Sequence, residues 1–457
     1  MTEIEPGKYD VLIIGGGPGG YTAAIRCAQL GLQVALIEKG ELGGVCLNWG
    51  CIPTKSLLHS ADVLREIKKA GDVGIRVGSF DIDLGTMVQR SRDVAAQLSQ
   101  GVKHLMRKNG IDVVVGVARF LEPGLVEANG RQFRAANIIL ATGASARDLP
   151  HVKTDGKLVW TAREAMTPSF LPGKLLVIGA GAIGVEFASF YSTLGSSVTL
   201  VEALDQILPT EDAEIATLAQ AAFEKEGIRV LTGIAVEEVK SSAKKVSASI
   251  NGKQEKYDAL ILAVGVSGNV QDLNLEAAGV STDKGFVTVD SRQQTDTTGI
   301  YAIGDVTGAP CLAHKASHEG VKAAESIAGL NHAPLDRKRI PGCTYSYPQI
   351  ASIGSTEAAL ADREIKVGRF PFVANGKAHA IGEADGLVKT IFDASSGELL
   401  GAHMIGPGVT ELIQGFVIAM GLETTEAELI ETIFPHPTLS ESMHESVLSA
   451  YGRELNI

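Results

Sequence analysis

The sequence has no excess of basic charge, no long apolar run and no even complement of cysteines. Each absence excludes something. Its 457 residues carry 41 Lys and Arg against 53 Asp and Glu, a net charge of −12, with a pI near 5.4. Nucleic-acid binders neutralise phosphates with a basic surface, so that class is disfavoured. No apolar run reaches the ~18 residues needed to span a bilayer, and the greasiest stretches, 174–185 and 258–266, are short and broken by glycine. The opening MTEIEPGKYD is polar and acidic, without the charged-then-apolar plan of a secretory leader. A cytoplasmic location is expected. Five cysteines (Cys27, Cys46, Cys51, Cys311, Cys343) are an odd number, which argues against a structural disulfide framework in a reducing compartment. Low-complexity segments and charged tails are missing as well. What the chain does have is glycine, 52 residues of it, placed at particular points. Hydrophobic residues at 45% and charged residues at 21% are ordinary for a globular protein, and the length allows roughly three domains at about 150 residues each.

One internal repeat organises the first half. Residues 9–39 and 174–203 both run apolar strand, glycine turn, amphipathic helix ending at Leu-Gly, second apolar strand and terminal Glu. Gly20 matches Gly184, Gly31 matches Gly195 and Glu38 matches Glu202 at one constant offset. Two copies this regular predict two βαβ domains. Residues 112–120 and 137–143 read as strands closing the first, and 258–266 as the strand closing the second. Ser267–Gly268–Asn269 is turn chemistry. From about residue 338, alternating apolar stretches such as 387–392 and 399–405 are followed by helical segments, an α+β third unit.

Gly15-x-Gly17-x-x-Gly20 follows an apolar strand and opens a helix. Such glycines permit a tight turn, close approach of backbone to a pyrophosphate and close helix–strand packing, and the helix aims its first amides at the phosphates. Glu38 ends the second strand, where a carboxylate accepts ribose hydroxyls. Gly179-x-Gly181-x-x-Gly184 with Glu202 repeats the arrangement. A carboxylate there repels a 2′-phosphate by roughly 4 kcal/mol at ~4 Å and an effective dielectric of ~20. No arginine stands in 203–208 to offset it, so NAD rather than NADP is expected. In 295–305 an apolar strand ends in Gly304-Asp305. This is either a plain strand and turn or a polyol-binding carboxylate.

Cys46 and Cys51 lie in a glycine-rich segment, GGVCLNWGCIPTK, that enters a helix expected over 53–64. Pro53 suits a first helical turn, so Cys51 falls at or just before a helix N-terminus, where partial positive charge favours thiolate; Lys55 adds a cation. Zinc ligation would need a second Cys or His pair with ligand spacing, and inert core thiols would leave Gly43, Gly44 and Gly50 without a reason. A redox-active disulfide is expected. Cys27 reads as a packed core thiol. At the other end, His436 with Glu441 five residues later reads alone as a helix cap, and beside a thiol pair as a base with its tautomer-fixing carboxylate.

Taken together, GGVCLNWGCIPTKSLL, IGAGAIGVEFAS, YAIGD followed by LAHKA, and HPTLSE closely resemble the pyridine nucleotide–disulfide oxidoreductases over essentially the entire chain. The resemblance implies an α/β fold: two Rossmann-like dinucleotide-binding domains plus an α+β C-terminal dimerisation domain. It divides the chain into an FAD-binding domain (1–148), an NAD-binding domain (149–267), a central segment completing the FAD site (268–337) and an interface domain (338–457). It places FAD on the first copy, with Gly304 and Asp305 at the ribityl chain, and NAD on the second. Lys55, Ala118, Gly143 and Ala313 fall at flavin-side positions, Glu186 stands against Lys55 near the nicotinamide, and Gly265 belongs to the cofactor contacts.

The activity implied is oxidation of protein-bound dihydrolipoamide by an obligate homodimer. In that scheme His436 of the partner subunit deprotonates a substrate thiol that attacks Cys46, and Cys51 passes electrons through FAD to NAD. The expected partners are lipoyl domains and the acyltransferase core of a 2-oxo acid dehydrogenase complex, with a lean to the branched-chain type. Alternatives are a glutathione reductase, disfavoured by Glu202, a mercuric reductase, disfavoured by the lack of a cysteine pair in SAYGRELNI, a mycothione reductase, or a non-catalytic flavoprotein module, against which the intact Cys46, Cys51, His436 and Glu441 argue. Trp49 in the cysteine segment, Phe434-Pro435 before His436 and the VSGN turn at 266–269 depart from the family pattern.

Overall fold

The computed structural model describes residues 9–457, so the reading of the polar opening stretch lies, through residue 8, outside the described residues. The chain forms two compact units. One is built from the chain up to Leu57 with Asp83–Arg147 and Gly265–Leu335, the other from Leu58–Ile82, Asp148–Val264 and Asp336–Ile457.

In the first unit, strands Asp112–Val115, Val34–Glu38, Tyr9–Ile14, Arg131–Leu140 and Ile300–Ala302 lie parallel in that order. Successive side chains of a strand point to opposite faces. Leu12 and Ile14 therefore enter one core with Phe120, Phe133 and Ile300, while Val11 and Ile13 enter another with Ala23, Cys27 and Ala324. Burial on both faces explains why YDVLII is nearly unbroken apolar sequence. The helix Pro18–Gln29 ends at Leu30, and Gly31 turns the chain with φ +82.

The expected strand over 112–120 is two strands. It breaks at Gly116, where the side chain of Asn129 stands 2.6 Å from the position a Cβ would take. Asp112–Val115 stays on the parallel edge, and Ala118–Glu122 joins an antiparallel hairpin with Leu125–Ala128. The stretch 258–266 divides likewise. Ala259–Leu262 closes the second parallel sheet, whereas Val266–Gly268 pairs antiparallel with Ala144–Ala146 in the first unit, with Gly265 at φ +98 between them.

The second unit repeats the parallel plan with Arg229–Leu231, Ser197–Val201, Lys174–Ile178, Ala259–Leu262 and Val159–Trp160. It adds a five-stranded antiparallel sheet in the order Gly342–Thr344, Gln349–Gly354, Leu399–Gly406, Leu387–Asp393, Ile365–Pro371. The two strands read from the sequence as alternating are buried at every position. Their polar members consequently need partners: Lys389, 1% exposed, reaches Asp212 at 2.8 Å, Glu357 at 2.7 Å and Glu214 at 3.0 Å. Among the described residues no helix is long and apolar enough to cross a membrane.

Candidate functional site

The first glycine loop is built on backbone contact. Gly15 has φ +109, and a Cβ there would stand 2.2 Å from the Ala141 carbonyl oxygen; one on Gly20 would stand 1.9 Å from that of Gly15. Only glycine fits either place. Gly17 caps the Pro18–Gln29 helix without a side-chain hydrogen bond, and Pro18 has no N–H, so the remaining first-turn amides are not satisfied by a capping side chain. Glu38 accepts the N–H of Gly16 at 2.6 Å and of Gly40 at 2.7 Å, which fixes its carboxylate at the strand end. A cradle that any Cβ would fill, an uncapped helix start and an anchored carboxylate fit a dinucleotide.

The cysteine segment lies against this loop. Gly43 and Gly44, with φ +96 and +58, reverse the chain, and a Cβ on Gly44 would stand 2.7 Å from Gly17 Cα. Gly50 is equally constrained, 2.9 Å from the Val45 carbonyl oxygen. Cys46 lies in the helix Gly44–Trp49, and Cys51 is the first residue of the helix Cys51–Lys69, which begins two residues earlier and runs five further than its sequence pattern implied. Buried Asn48 pins the turn by donating to Leu42 O and Gly44 O, each at 3.0 Å. Both cysteines stand as thiols. Their mutual hydrogen bond, then burial, then the charge of Cys51 push the Cys46 thiol far up, against a pull from Lys55. The two thiols thus act as a hydrogen-bonded pair, and the place of Cys51 at a helix N-terminus favours thiolate there. Tyr21 is close enough to Cys46 that its phenol is raised by burial and by that sulfur's charge.

The remaining cysteines differ. Cys27 is fully buried, its thiol pushed up to about 12 by burial, an inert core group as expected. Cys311 is pushed up to about 11, again chiefly by burial.

Gly304 and Asp305 begin the turn Gly304–Thr307, and Ala313 is the first residue of the helix Ala313–Ile327, whose N-cap Leu312 makes no side-chain bond. Burial pushes the Asp305 carboxyl up while Lys315 pulls it down. Gly143, with φ +70, has open space where a Cβ would stand. Ala118 is buried in its hairpin opposite Ala128, and Gly265 clusters with this unit.

The second glycine loop repeats the geometry. Gly179 has φ +96 with a Cβ position 2.3 Å from Ala263 O, and that of Gly184 lies 1.9 Å from Gly179 O. Gly181 caps the helix Ala182–Thr193 without a side-chain bond. Glu202 accepts from Ala180 N at 2.7 Å and Leu204 N at 3.0 Å. Glu186, 5% exposed, accepts the Tyr345 N–H at 2.9 Å.

His436 is not at a helix start. It stands in the turn before the helix Glu441–Ser449, whose first residue is Glu441. His436 Nδ1 lies 2.9 Å from Glu441 Oε1, and Glu441 Oε2 accepts the Thr438 N–H at 2.9 Å. Burial alone would raise the Glu441 carboxyl, but the Thr438 amide and His436 outweigh it and hold it below its ordinary value. An ionised Glu441 is acceptor only, so Nδ1 carries the proton and Nε2 is left to accept. Buried Asn375 braces the turn through Thr438 O and Ser442 Oγ, each at 3.0 Å. Asn375 and Glu319 lie outside the motif segments, Asn48 and Lys315 lie inside two of them, and the sequence reading gave none of the four a role. Among the described residues no His, Cys, Asp or Glu cluster is placed to hold a metal.

Comparison with known proteins agrees with this geometry. Residues 9–320 match the family model described as pyridine nucleotide-disulphide oxidoreductase, and 340–447 match that family's dimerisation domain. A protein named dihydrolipoyl dehydrogenase from Zymomonas mobilis is 53% identical, covering 98% of this chain and 99% of its own; one of the same name from Rhizobium etli is 52% identical with the same coverage. Among solved structures, LpdA of Mycobacterium tuberculosis superposes with a TM-score of 0.90 at 28% identity, covering 96% of this chain and 98% of that one. The HOCl-induced flavoprotein disulfide reductase of Escherichia coli gives 0.87 at 29%, covering 96% and 99%.

Proposed function

The chain belongs to the pyridine nucleotide-disulphide oxidoreductase family, and from that premise we propose that it oxidises a protein-bound dihydrolipoyl group to its disulfide and delivers the two electrons to NAD. The observation that carries the reading is the hydrogen-bonded thiol pair Cys46–Cys51, seated on a dinucleotide loop at a helix N-terminus. The substrate is taken from the relatives that share over half of its residues.

The family uses FAD and NAD. Gly15, Gly17, Gly20, Glu38, Lys55, Ala118, Gly143, Gly304, Asp305 and Ala313 would hold the first, Gly179, Gly181, Gly184, Glu186 and Glu202 would serve the second, and Gly265 is a further cofactor contact. FAD supplies a two-electron carrier between thiol and nicotinamide chemistry. The protein's own part is thiol chemistry. With Nδ1–H tied to Glu441, Nε2 of His436 accepts a substrate thiol proton. The resulting thiolate attacks Cys46 Sγ in the disulfide form; the Cys46–Cys51 bond breaks, and Cys51 leaves as the thiolate its helix start favours. The second substrate thiol then displaces Cys46, closing the lipoyl disulfide and leaving the enzyme as dithiol.

Segments 1–148 and 268–337 form the FAD-binding part, 149–267 the NAD-binding part and 338–457 the interface. Support comes from the breaks between the two compact units at 147/148, 264/265 and 335/336, with 58–82 grouping with the second unit instead of the first, and from the dimerisation match at 340–447. In the homodimer the His436–Glu441 pair of one chain serves the thiols of the other. The partner is the lipoyl domain and acyltransferase core of a 2-oxo acid dehydrogenase complex, of the branched-chain type. Purified protein should reduce NAD with dihydrolipoamide, and do so far faster than with glutathione, mycothiol or NADP. A preference for another dithiol or for NADP overturns the substrate assignment, and lipoyl domains from different complexes, offered as substrates, rank the partners.

A further inference from the structure

Lys315 and Glu319 are each 1% exposed, among the most deeply buried charges in the first unit. Lys315 Nζ lies 3.2 Å from Glu319 Oε1, one turn apart on the helix Ala313–Ile327. Three features make this a poor stabiliser. Burial strips both charges of water, and apolar side chains of similar volume often serve stability as well. A cation in the first turn faces the positive end of the helix dipole. Lys placed before Glu at this spacing is the weaker orientation.

The remaining bonds of the pair show what it does. Nζ donates to Gly304 O at 3.1 Å, Thr307 Oγ1 at 3.0 Å and Gly308 O at 3.1 Å, while Glu319 Oε2 accepts the Gly304 N–H at 2.7 Å. All four end on one five-residue turn. That turn contains two glycines at positive φ, Gly304 at +74 and Gly308 at +87, so its backbone has little local preference for a single shape. Asp305 projects from it.

We propose that Lys315 and Glu319 are positioning residues that hold the 304–308 turn in the shape that grips the ribityl half of FAD, leaving the adenosine half to the first glycine loop. The inference rests on the FAD reading above. The ammonium also favours the ionised form of Asp305, the form that accepts hydroxyl hydrogens.

The test is binding to the full-length chain, with FAD and ADP as probes. In Lys315→Met/Glu319→Gln the Gln still accepts the Gly304 N–H, and the donors to the turn are gone. FAD affinity should fall about tenfold or more while ADP affinity stays within about twofold. Thr307→Val removes one anchor without burying a charge, and it decides the matter if the double variant does not fold. It should weaken FAD about threefold and leave ADP unchanged. Unaltered FAD affinity in a folded variant, or FAD and ADP weakening in parallel, overturns the proposal. A wild-type chain that binds ADP but not FAD overturns the cofactor reading instead.

Discussion

The two glycine loops are nearly the same object in different surroundings. Their first glycines have φ +109 and +96, their third-glycine clashes are both 1.9 Å, and each terminal Glu ties two backbone amides. What differs is the backing. On the first loop Gly44 packs against Gly17, and the helix Ala313–Ile327 lies so close to Pro18–Gln29 that a Cβ on Gly320 would stand 2.6 Å from Gly19 O. On the second, a Cβ on Gly181 would meet nothing within 4 Å, and Ile183 is 44% exposed. The same local rule yields a hemmed-in site beside a thiol pair in one case and an open site in the other. The first suits a retained prosthetic group and the second an exchanging coenzyme.

The sharpest way to break this comparison is to remove chemistry from the first site alone. Cys46→Ser should lower dihydrolipoamide turnover by on the order of 10³-fold or more while the purified protein stays yellow. Wild-type turnover would end the proposed scheme. Next come matched backbone clashes. Gly20→Ala should strip FAD from the chain, whereas Gly184→Ala should keep bound flavin and raise the KM for NAD by about 10- to 100-fold. Flavin absorbance and steady-state kinetics on the two variants separate the sites, and equal loss of flavin in both would erase the distinction.

Third, Glu202→Gln removes the repulsion of roughly 4 kcal/mol expected against a 2′-phosphate. The NAD-over-NADP ratio of kcat/KM should fall at least about tenfold; an unchanged ratio would mean that another group sets the choice. The smallest effect tests the entry to the second parallel sheet. Burial alone would raise the Asp155 carboxyl, but the amides of Val159, Leu158 and Lys157 and the Ser241 hydroxyl take it down to about 2. A depressed carboxyl stabilises the fold above its unfolded pKa of ~3.9 and stops doing so as pH falls through the folded value. After solvent screening, Asp155→Ala should cost about 1 kcal/mol at pH 7. In denaturant titrations that gap should close between about pH 4 and pH 2, and a gap independent of pH would assign the loss to packing.

The motifs were legible because each is local. A Gly-x-Gly-x-x-Gly turn, a cysteine pair at a helix start and a His followed by Glu are recognisable within a dozen residues. The split of 112–120 at Gly116 was not, since an apolar run looks alike on a parallel edge and in a hairpin, and it is the packing of Asn129 that divides them. Nor was the turn holding His436, which a helix-start reading misplaced by five residues. Asn375 was illegible for a related reason: a buried polar residue is identified by its partners, and those of Asn375 stand 63 and 67 residues away. Asn48, Lys315 and Glu319 bond nearer in sequence, but to backbone groups of turns whose shape the sequence does not display.

The amino-acid order alone determined the two βαβ copies, their acidic ends, the thiol pair and the family these resemble, because hydrophobic period and glycine placement act through neighbours only a few residues apart. The tertiary structure decided which strands share a sheet, that the cysteine turn rests on the first glycine loop rather than elsewhere, that Cys46 and Cys51 form a hydrogen-bonded pair, and that a buried ion pair bonds the turn carrying Asp305. Those depend on burial and on strand pairings and packing between distant segments, which arise only once the chain has closed on itself.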